Sequence, residues 1–199
     1  MKTPRMITQF VENHWPAGRS GFYVEIGAWN GYKKNSTIVL ERLAWDGVCV
    51  EPTPTSFAEL KKNRTCRCLN VAVFDHVGEM EFVVFRDRPE WNGIAKTFDQ
   101  AHARKAQEKY GQEIEIIKVP CVTWAELELP RRIDYLQVDV EGAELHILGT
   151  VPWQEVDIEY ICLEDNASMT GDYTYRNYMR DLGYEILRQD HQDFLYHKV

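Results

Sequence analysis

The chain has no long apolar run. No segment approaches the roughly 18 consecutive apolar residues that a membrane-spanning helix requires, and residues 1–15 lack the apolar middle of a secretory signal. We therefore expect a cytoplasmic protein that makes no membrane contact.

Basic residues are too few for a general polyanion-binding surface. The 23 lysines and arginines are outnumbered by 31 acidic residues, for a formal net charge of −8. Because affinity for nucleic acid depends on basic patches that release counterions, a nucleic-acid partner is disfavoured. The basic residues between Arg86 and Lys109 leave RNA as a minor alternative. The composition is otherwise that of a globular protein, and the length predicts one domain over residues 1–199.

Cysteines number only five, and an odd count argues against a disulfide framework. Cys49, Cys121 and Cys162 lie in apolar runs, where a thiol packs as a small hydrophobe. Cys66 and Cys68 form a C-x-C pair with no second Cys/His pair spaced for zinc. We expect reduced cysteines and no zinc site.

The glycines of two common nucleotide loops are missing. A dinucleotide fingerprint that begins at Gly27 requires glycines where the chain has Trp29 and Tyr32. The first of these missing glycines lets the backbone approach a pyrophosphate, so its absence indicates a ligand without one. A G-x-x-x-x-G-K-[ST] phosphate loop is also absent.

Strand-like and helix-like patterns alternate through the first two thirds of the chain. This order predicts an α/β protein, with helices on both faces of a parallel sheet. Gly78 marks an inserted β-hairpin, and the polar residues 87–112, with a helix-compatible part at 100–110, are predicted to form a substrate loop or lid. The main predicted strands before and after this insertion are residues 23–26, 48–50, 69–73 and 133–139.

A glycine turn and a downstream acid suggest a nucleoside pocket. An apolar strand runs into the turn within Phe22–Gly31, and a second strand is followed by Glu51 and Pro52. An acid at the end of the second strand can accept two hydrogen bonds from ribose hydroxyls. S-adenosylmethionine, which has no pyrophosphate, fits this combination.

Further motifs extend the pattern along nearly the whole chain. They are Val24–Gly31, Asn35–Thr37 with Leu40 and Glu41, Trp45–Gly47, Glu51–Pro54 with Phe57, Leu60, Asn63 and Arg64, and Ile133–Leu145. Together they resemble the FkbM-type methyltransferases. The resemblance implies a Rossmann-like class I methyltransferase fold, with a seven-stranded, mostly parallel sheet whose last strand is antiparallel. It also implies S-adenosylmethionine as methyl donor and O-methylation of a hydroxyl on a sugar or natural-product-type small molecule.

The chain departs from the usual family pattern at three places. Trp29 and Asn30 stand where Asp or Asn is usual, Asn35–Thr37 replaces Ser-Asn-Thr, and Gln137 replaces a Lys. Each departure can alter substrate contacts without abolishing donor binding. The predicted donor-binding residues are Glu25, Gly27, Ala28, Trp29, Asn30, Gly31, Thr37, Glu51, Pro52, Ala72 and Asp139.

A second group of acids follows the predicted central strand. Asp139 and Glu141 lie where open α/β sheets bind ligands. Methyl transfer to a hydroxyl requires orientation and a base, and we predict Glu141 as the base and Asp139 as a donor- or substrate-positioning group. The predicted substrate contacts are Trp91, Asn92 and Glu164.

A divalent metal is an alternative use of these acids. Asp139, Glu164 and Asp165, with or without Glu141, supply the oxygen ligands that hard cations prefer. We favour carboxylates without a metal. A non-catalytic module that binds the donor and recognises a partner is the other functional alternative, ahead of RNA methylation.

Overall fold

A computed structural model describes residues 6–16, 18–97, 111, 113–165 and 171–199. The helix predicted at 100–110, and with it most of the predicted loop or lid, lies outside the described residues. Within the described part, no helix is both long and apolar enough to cross a membrane.

Eleven strands form two sheets in the described residues. In chain order they are β1 Phe22–Ile26, β2 Asp46–Val50, β3 Arg67–Leu69, β4 Ala72–Val73, β5 Gly78–Phe85, β6 Gly93–Ile94, β7 Ile114–Val122, β8 Arg132–Val138, β9 Asp157–Glu164, β10 Tyr184–Asp190 and β11 Asp193–Lys198. The helices are α1 Met6–His14, α2 Ile38–Arg42, α3 Pro54–Asn63, α4 Glu144–Leu148 and α5 Thr174–Asp181, with short 3₁₀ segments at Pro89–Trp91 and Trp124–Leu127.

The main sheet has seven strands in the order β3-β2-β1-β8-β9-β11-β10. Neighbouring strands from β3 to β9 run parallel, whereas β11 runs antiparallel to both β9 and β10. This topology confirms the predicted class I fold, including the antiparallel last strand. The strand order reverses at β1 and β8, and ligands bind beside the carboxyl ends of strands at such a switch point.

The inserted unit is larger than the predicted hairpin. Strand β5 pairs with β7 along its whole length, from Gly78 opposite Cys121 to Phe85 opposite Ile114, and the second sheet has the order β4-β7-β5-β6. The strand predicted at 69–73 is divided between the two sheets. The division occurs at Asn70, whose side chain donates to the carbonyl oxygens of Glu51 and Pro52 and so redirects the chain.

Helices cover both faces of the main sheet. Since successive side chains of a strand point to opposite faces, each face packs against its own helices. On one face, Leu136 of β8 belongs to a core with Ile147 of α4 and Met179 of α5. On the other face, Tyr135 belongs to a core with Val11 of α1 and Leu60 of α3. The resulting three layers leave the carboxyl edge of β1, β2 and β8 open for a site.

Candidate functional site

The turn after β1 is built on the close approach of two backbone segments. Gly27 has φ +87°, and a Cβ there would lie 1.9 Å from the carbonyl oxygen of Asp139. The amides of Gly27 and Ala28 both donate to the oxygen of Val50 at 3.0 Å, and the amide of Asp139 donates to Ile26 at 3.1 Å. The ends of β1, β2 and β8 are thereby tied together at the mouth of one cleft.

A buried arginine supports this turn from behind. The side chain of Arg64 has no exposed surface and forms ion pairs with Glu25 and Glu41, at 3.3 and 2.6 Å. Its other hydrogen bonds reach Tyr23 Oη at 2.9 Å and Thr37 Oγ1 at 2.9 Å. Additional acceptors of the guanidinium are the Gly31 carbonyl and Asn35 Oδ1.

Glu25 and Thr37 lie within this network and not along the cleft. Glu25 accepts hydrogen bonds at 2.6 Å from both Asn35 Nδ2 and Thr37 Oγ1. Burial raises the pKa of Glu25, and the charge of Arg64 opposes that rise. These contacts give Glu25 and Thr37 a role in holding the turn, so any effect on a donor is indirect.

Glu51 is a buried carboxyl group at the wall of the cleft, with 6% of its surface exposed. Its Oε2 accepts from the Trp29 amide at 3.0 Å, and its Oε1 accepts from the Thr53 amide at 2.8 Å. Burial raises its pKa to about 7 despite these hydrogen bonds. Because each carboxylate oxygen has a second lone pair, Glu51 can accept two further donors from a ligand.

Trp29 adopts a backbone conformation that is unusual for a bulky residue. Its φ of +47° turns its amide toward Glu51, while its side chain lines the cleft. Lys33 Nζ lies 5.8 Å from the centre of the indole ring. The residue thus joins the glycine turn to the acid after β2.

Three carboxyl groups form a cluster that reaches the cleft through Asp139 and Glu141. Asp139 and Glu141 follow β8, Glu164 ends β9, and one oxygen from each lies within 4.8 Å of the others. Burial, with the nearby charge of Asp139, raises the pKa of Glu141 to about 8 and that of Glu164 to about 10. Glu141 also has φ +57°, the left-handed region that is costly for a residue with a Cβ.

Glu144 shapes the loop that carries Glu141. Its buried Oε1 accepts from the amides of Val140 and Gly142, at 3.1 and 3.3 Å, and its Oε2 accepts from Tyr175 Oη at 2.9 Å. Because Glu141 and Gly142 both have positive φ, helix α4 begins only at Glu144. The sequence interpretation assigned no role to this residue, although its position just after the strand-end acids was a usable signal.

The inserted sheet supplies the third wall of the cleft. Asn92 accepts from the Phe85 amide at 2.8 Å and donates to Thr53 Oγ1 at 3.2 Å, which fixes the 3₁₀ segment to the main sheet. Glu90 lines the same cleft and lies 3.6 Å from Lys34 Nζ. Trp91 instead packs against Phe85, with ring centres 6.0 Å apart.

The cleft brings together many of the predicted site residues. Those that line it are Gly27, Trp29, Glu51, Pro52, Ala72, Asn92, Asp139 and Glu141. Ala28, Asn30 and Gly31 form the adjoining turn, and Trp91 packs nearby. Among the described residues, the cluster of three acids contains Glu141 and not Asp165, which is buried at the end of β9.

The topology, the glycine turn and the acid after β2 define the class I fold of S-adenosylmethionine-dependent methyltransferases. A family model described as the methyltransferase FkbM domain matches residues 25–186. The chain therefore belongs to the FkbM methyltransferase family. No curated protein matches the chain significantly.

Two solved methyltransferase structures are similar to this chain at low sequence identity. Methyltransferase FkbM from Methylobacillus flagellatus KT is 12% identical, with a TM-score of 0.56 over 89% of this chain and 43% of that chain. Precorrin-6y C5,15-methyltransferase from Geobacter metallireducens GS-15 is also 12% identical, with a TM-score of 0.48 over 98% of this chain and 89% of that one. The chain thus spans less than half the length of the FkbM structure.

Gly27→Ala should destabilise the protein strongly, because the new Cβ would meet a backbone oxygen as well as an unfavourable φ. We expect a loss of about 3 kcal/mol or more in the free energy of unfolding, measured by urea denaturation. Gly183→Ala is the matched control, since Gly183 has φ +82° and no atom within 4 Å of its Cβ position. It should lose only about 1 kcal/mol. Equal losses in the two variants would contradict the close approach.

Proposed function

We propose that this chain acts as one domain that transfers a methyl group from S-adenosylmethionine to a hydroxyl of a sugar or natural-product-type small molecule. The observation that carries the proposal is the presence of two kinds of carboxyl group at one cleft. Glu51 offers paired acceptors beside the glycine turn. Asp139, Glu141 and Glu164 form a cluster, two members of which line the same cleft.

The residues on the donor side suit the chemistry of S-adenosylmethionine. Because Gly27 has no Cβ, the turn after β1 can lie against the backbone of Asp139 after β8. Glu51 can accept hydrogen bonds from two ribose hydroxyls. Pro52, Ala72 and Phe82 provide apolar surface for adenine. Trp29 and Asp139 line the same cleft.

Glu141 is the proposed general base. Bound S-adenosylmethionine supplies an electrophilic methyl group on a sulfonium. The acceptor hydroxyl oxygen forms the new bond to the methyl carbon as the carbon–sulfur bond breaks, and its proton passes to Glu141. A general base works best when its pKa is close to the working pH, because it is then both ionised and basic enough to take the proton. Burial raises the pKa of Glu141 to about 8, which brings it close to neutral pH.

Asp139 and Glu164 support this base by position and charge. The negative charge of Asp139 raises the pKa of both neighbouring glutamates. Glu164 is thereby kept protonated at neutral pH and can donate a hydrogen bond to the acceptor. Asp139 follows the central strand beside Gly27, so it is placed to orient the donor relative to the acceptor.

The acceptor side favours a small polar molecule. The cleft continues past Trp29, Pro89 and Glu90 into a wider groove that also contains Lys33 and Arg88. Arg88 lies 4.9 Å above the Trp91 ring and 3.4 Å from Glu90, so its charge is already engaged. Aromatic surface beside paired charges suits the alternating apolar and hydroxyl surfaces of a sugar more than a polyanion.

Glu51→Gln should weaken binding of S-adenosylhomocysteine by about tenfold or more, since hydrogen bonds to a charged group are worth roughly 1.5–3 kcal/mol. Ribose hydroxyls stabilise ionised Glu51, whose pKa without ligand is about 7. Wild-type affinity should therefore fall as the pH drops below about 7, and the variant should lack this dependence. Calorimetry at several pH values measures both effects.

The control for this experiment is Glu155→Gln, an exposed carboxyl group outside the cleft. It should retain wild-type affinity and the wild-type pH dependence. A Glu51→Gln variant that bound as tightly as the control would refute the ribose role. Absence of any calorimetric signal with the wild-type protein would refute donor binding itself.

Glu141→Gln should bind the donor normally but lose about 10²–10⁴-fold in turnover, the usual contribution of a general base. With wild-type protein, kcat/KM should rise with pH up to about 8, where Glu141 becomes ionised, and level off above that value. The measurement is methyl transfer from labelled donor to a panel of sugar and natural-product hydroxyls.

Three outcomes would contradict this proposal. An active Glu141→Gln variant with an unchanged pH profile would remove Glu141 as the base. Tight donor binding without methyl transfer to any member of the panel would instead favour the non-catalytic module. Transfer to RNA, with binding that weakens steeply in salt, would favour the RNA alternative.

Chelation should leave activity unchanged, because the acid cluster is proposed to be neutralised by protons and not by a cation. The elevated pKa values of Glu141 and Glu164 show how burial favours proton uptake. Activity assays with EDTA, and then with added Mg²⁺ or Mn²⁺, test this expectation. Loss of activity with EDTA and recovery with either metal would instead assign the cluster to a hard cation.

A further inference from the structure

Three thiols meet on the opposite side of the buried network from the cleft. The Sγ atoms of Cys66 and Cys49 lie 3.5 Å apart, and Cys68 Sγ donates to the Cys66 carbonyl oxygen at 3.5 Å. Cys49 Sγ also lies 3.6 Å from Glu25 Oε2. A pair of sulfur atoms is therefore in van der Waals contact beside the carboxyl group that supports the donor turn.

The two sulfur atoms differ in accessibility. Cys49 is fully buried in β2, whereas Cys66 is half-buried and lines an open surface groove with Thr65 and Glu128. Cys66 also precedes Arg67, the first residue of β3 that pairs with β2. A small oxidant in solvent consequently reaches Cys66 before Cys49, and Cys66 is outside the regular strand pairing.

The surroundings also shift the pKa values of Cys66 and Cys49 in opposite directions. Contact with the neighbouring thiols of Cys49 and Cys68, with the charge of Arg64, lowers the pKa of Cys66. The contact with Cys66 and burial raise the pKa of Cys49. Since the thiolate is the nucleophilic form, Cys66 is the reactive member and Cys49 is the protonated partner.

We propose that Cys66 and Cys49 form a redox modification site that hydrogen peroxide converts from a dithiol to a disulfide. The Cys66 thiolate attacks one peroxide oxygen, which breaks the O–O bond and gives Cys66 sulfenic acid and hydroxide. The Cys49 thiol then displaces the sulfenic oxygen as water and forms the S–S bond. The two thiols are oxidised, and the peroxide is reduced to two molecules of water once the hydroxide is protonated.

The disulfide changes the support of the glycine turn. Cys49 loses the proton that it can donate to Glu25, and its sulfur must move toward Cys66 until the separation is about 2.05 Å. Glu25 lies behind Gly27 in the same strand-to-turn segment. Because the turn is a donor-binding element under the proposed function, oxidation should weaken S-adenosylhomocysteine binding by about threefold to tenfold, the loss expected for one hydrogen bond.

The test is native oxidation with hydrogen peroxide, followed by alkylation, digestion and peptide mapping. We expect a disulfide between the Cys49 and Cys66 peptides, which dithiothreitol removes. Cys68→Ser should still form it, whereas Cys66→Ser should not. If Cys49→Ala fails to fold, Cys66→Ser still decides the result, because its side chain is half-buried and of similar size.

Several results would overturn the proposal. One is a disulfide between Cys66 and Cys68 in place of the predicted one, and another is over-oxidation of Cys66 without a disulfide. A third is labelling of Cys66 by iodoacetamide that is no faster than labelling of Cys121, whose pKa is raised by burial to about 11. Complete disulfide formation with unchanged donor affinity would overturn the coupling to the turn. If reduced wild-type protein binds no donor, the proposed donor site fails, while the peptide map still decides the dithiol.

Discussion

The buried guanidinium of Arg64 is the interaction on which the rest of the site depends. A charge without solvent contact is tolerated only when it is paired and its hydrogen-bonding capacity is used. Arg64 meets both conditions through Glu25 and Glu41, and its remaining donors reach the turn and the start of α2. Removing one partner would leave the other charges uncompensated. The ends of β1, α2 and α3 are consequently held together as a unit, and the turn is rigid before any ligand arrives.

The cleft combines this rigid wall with an acidic wall whose charge depends on pH. Glu51 and the three acids of the cluster all come from strand ends, where parallel strands deliver side chains to one edge. Their burial makes full ionisation costly, so protons are retained at Glu141 and Glu164 near neutral pH. A cationic sulfonium is compatible with residual negative charge, and the retained protons prevent the cluster from repelling itself. Under the proposed function, the protonation state of these acids therefore links donor binding to the acceptor chemistry.

The parts of the fold that could be predicted from sequence are those encoded locally. Strands β1, β2 and β8 are short apolar runs, and the acids Glu51 and Asp139 follow directly after them, so topology places both at one edge. The pairing of β5 with β7 was missed because about thirty residues separate the paired ends, and alternation of apolar residues does not identify a partner. The prediction that Glu25 binds the donor also reflects a partner that is distant in sequence. That partner is Arg64, and local pattern says nothing about a buried ion pair between the two residues.

Two non-glycine residues that line the cleft, Trp29 and Glu141, have positive φ. A left-handed conformation costs roughly 1–2 kcal/mol for a residue with a Cβ, and such strain persists where the surroundings enforce it. Trp29 is held by its amide hydrogen bond to Glu51, and Glu141 is held by a loop whose neighbouring amides bind Glu144. Glycine at either position would relieve the strain but remove the side chain. The presence of an indole and a carboxyl group at these two positions indicates that these side chains are needed in the cleft. Under the proposed function, Trp29 connects donor recognition to the acceptor groove, because it lines both the cleft and the groove.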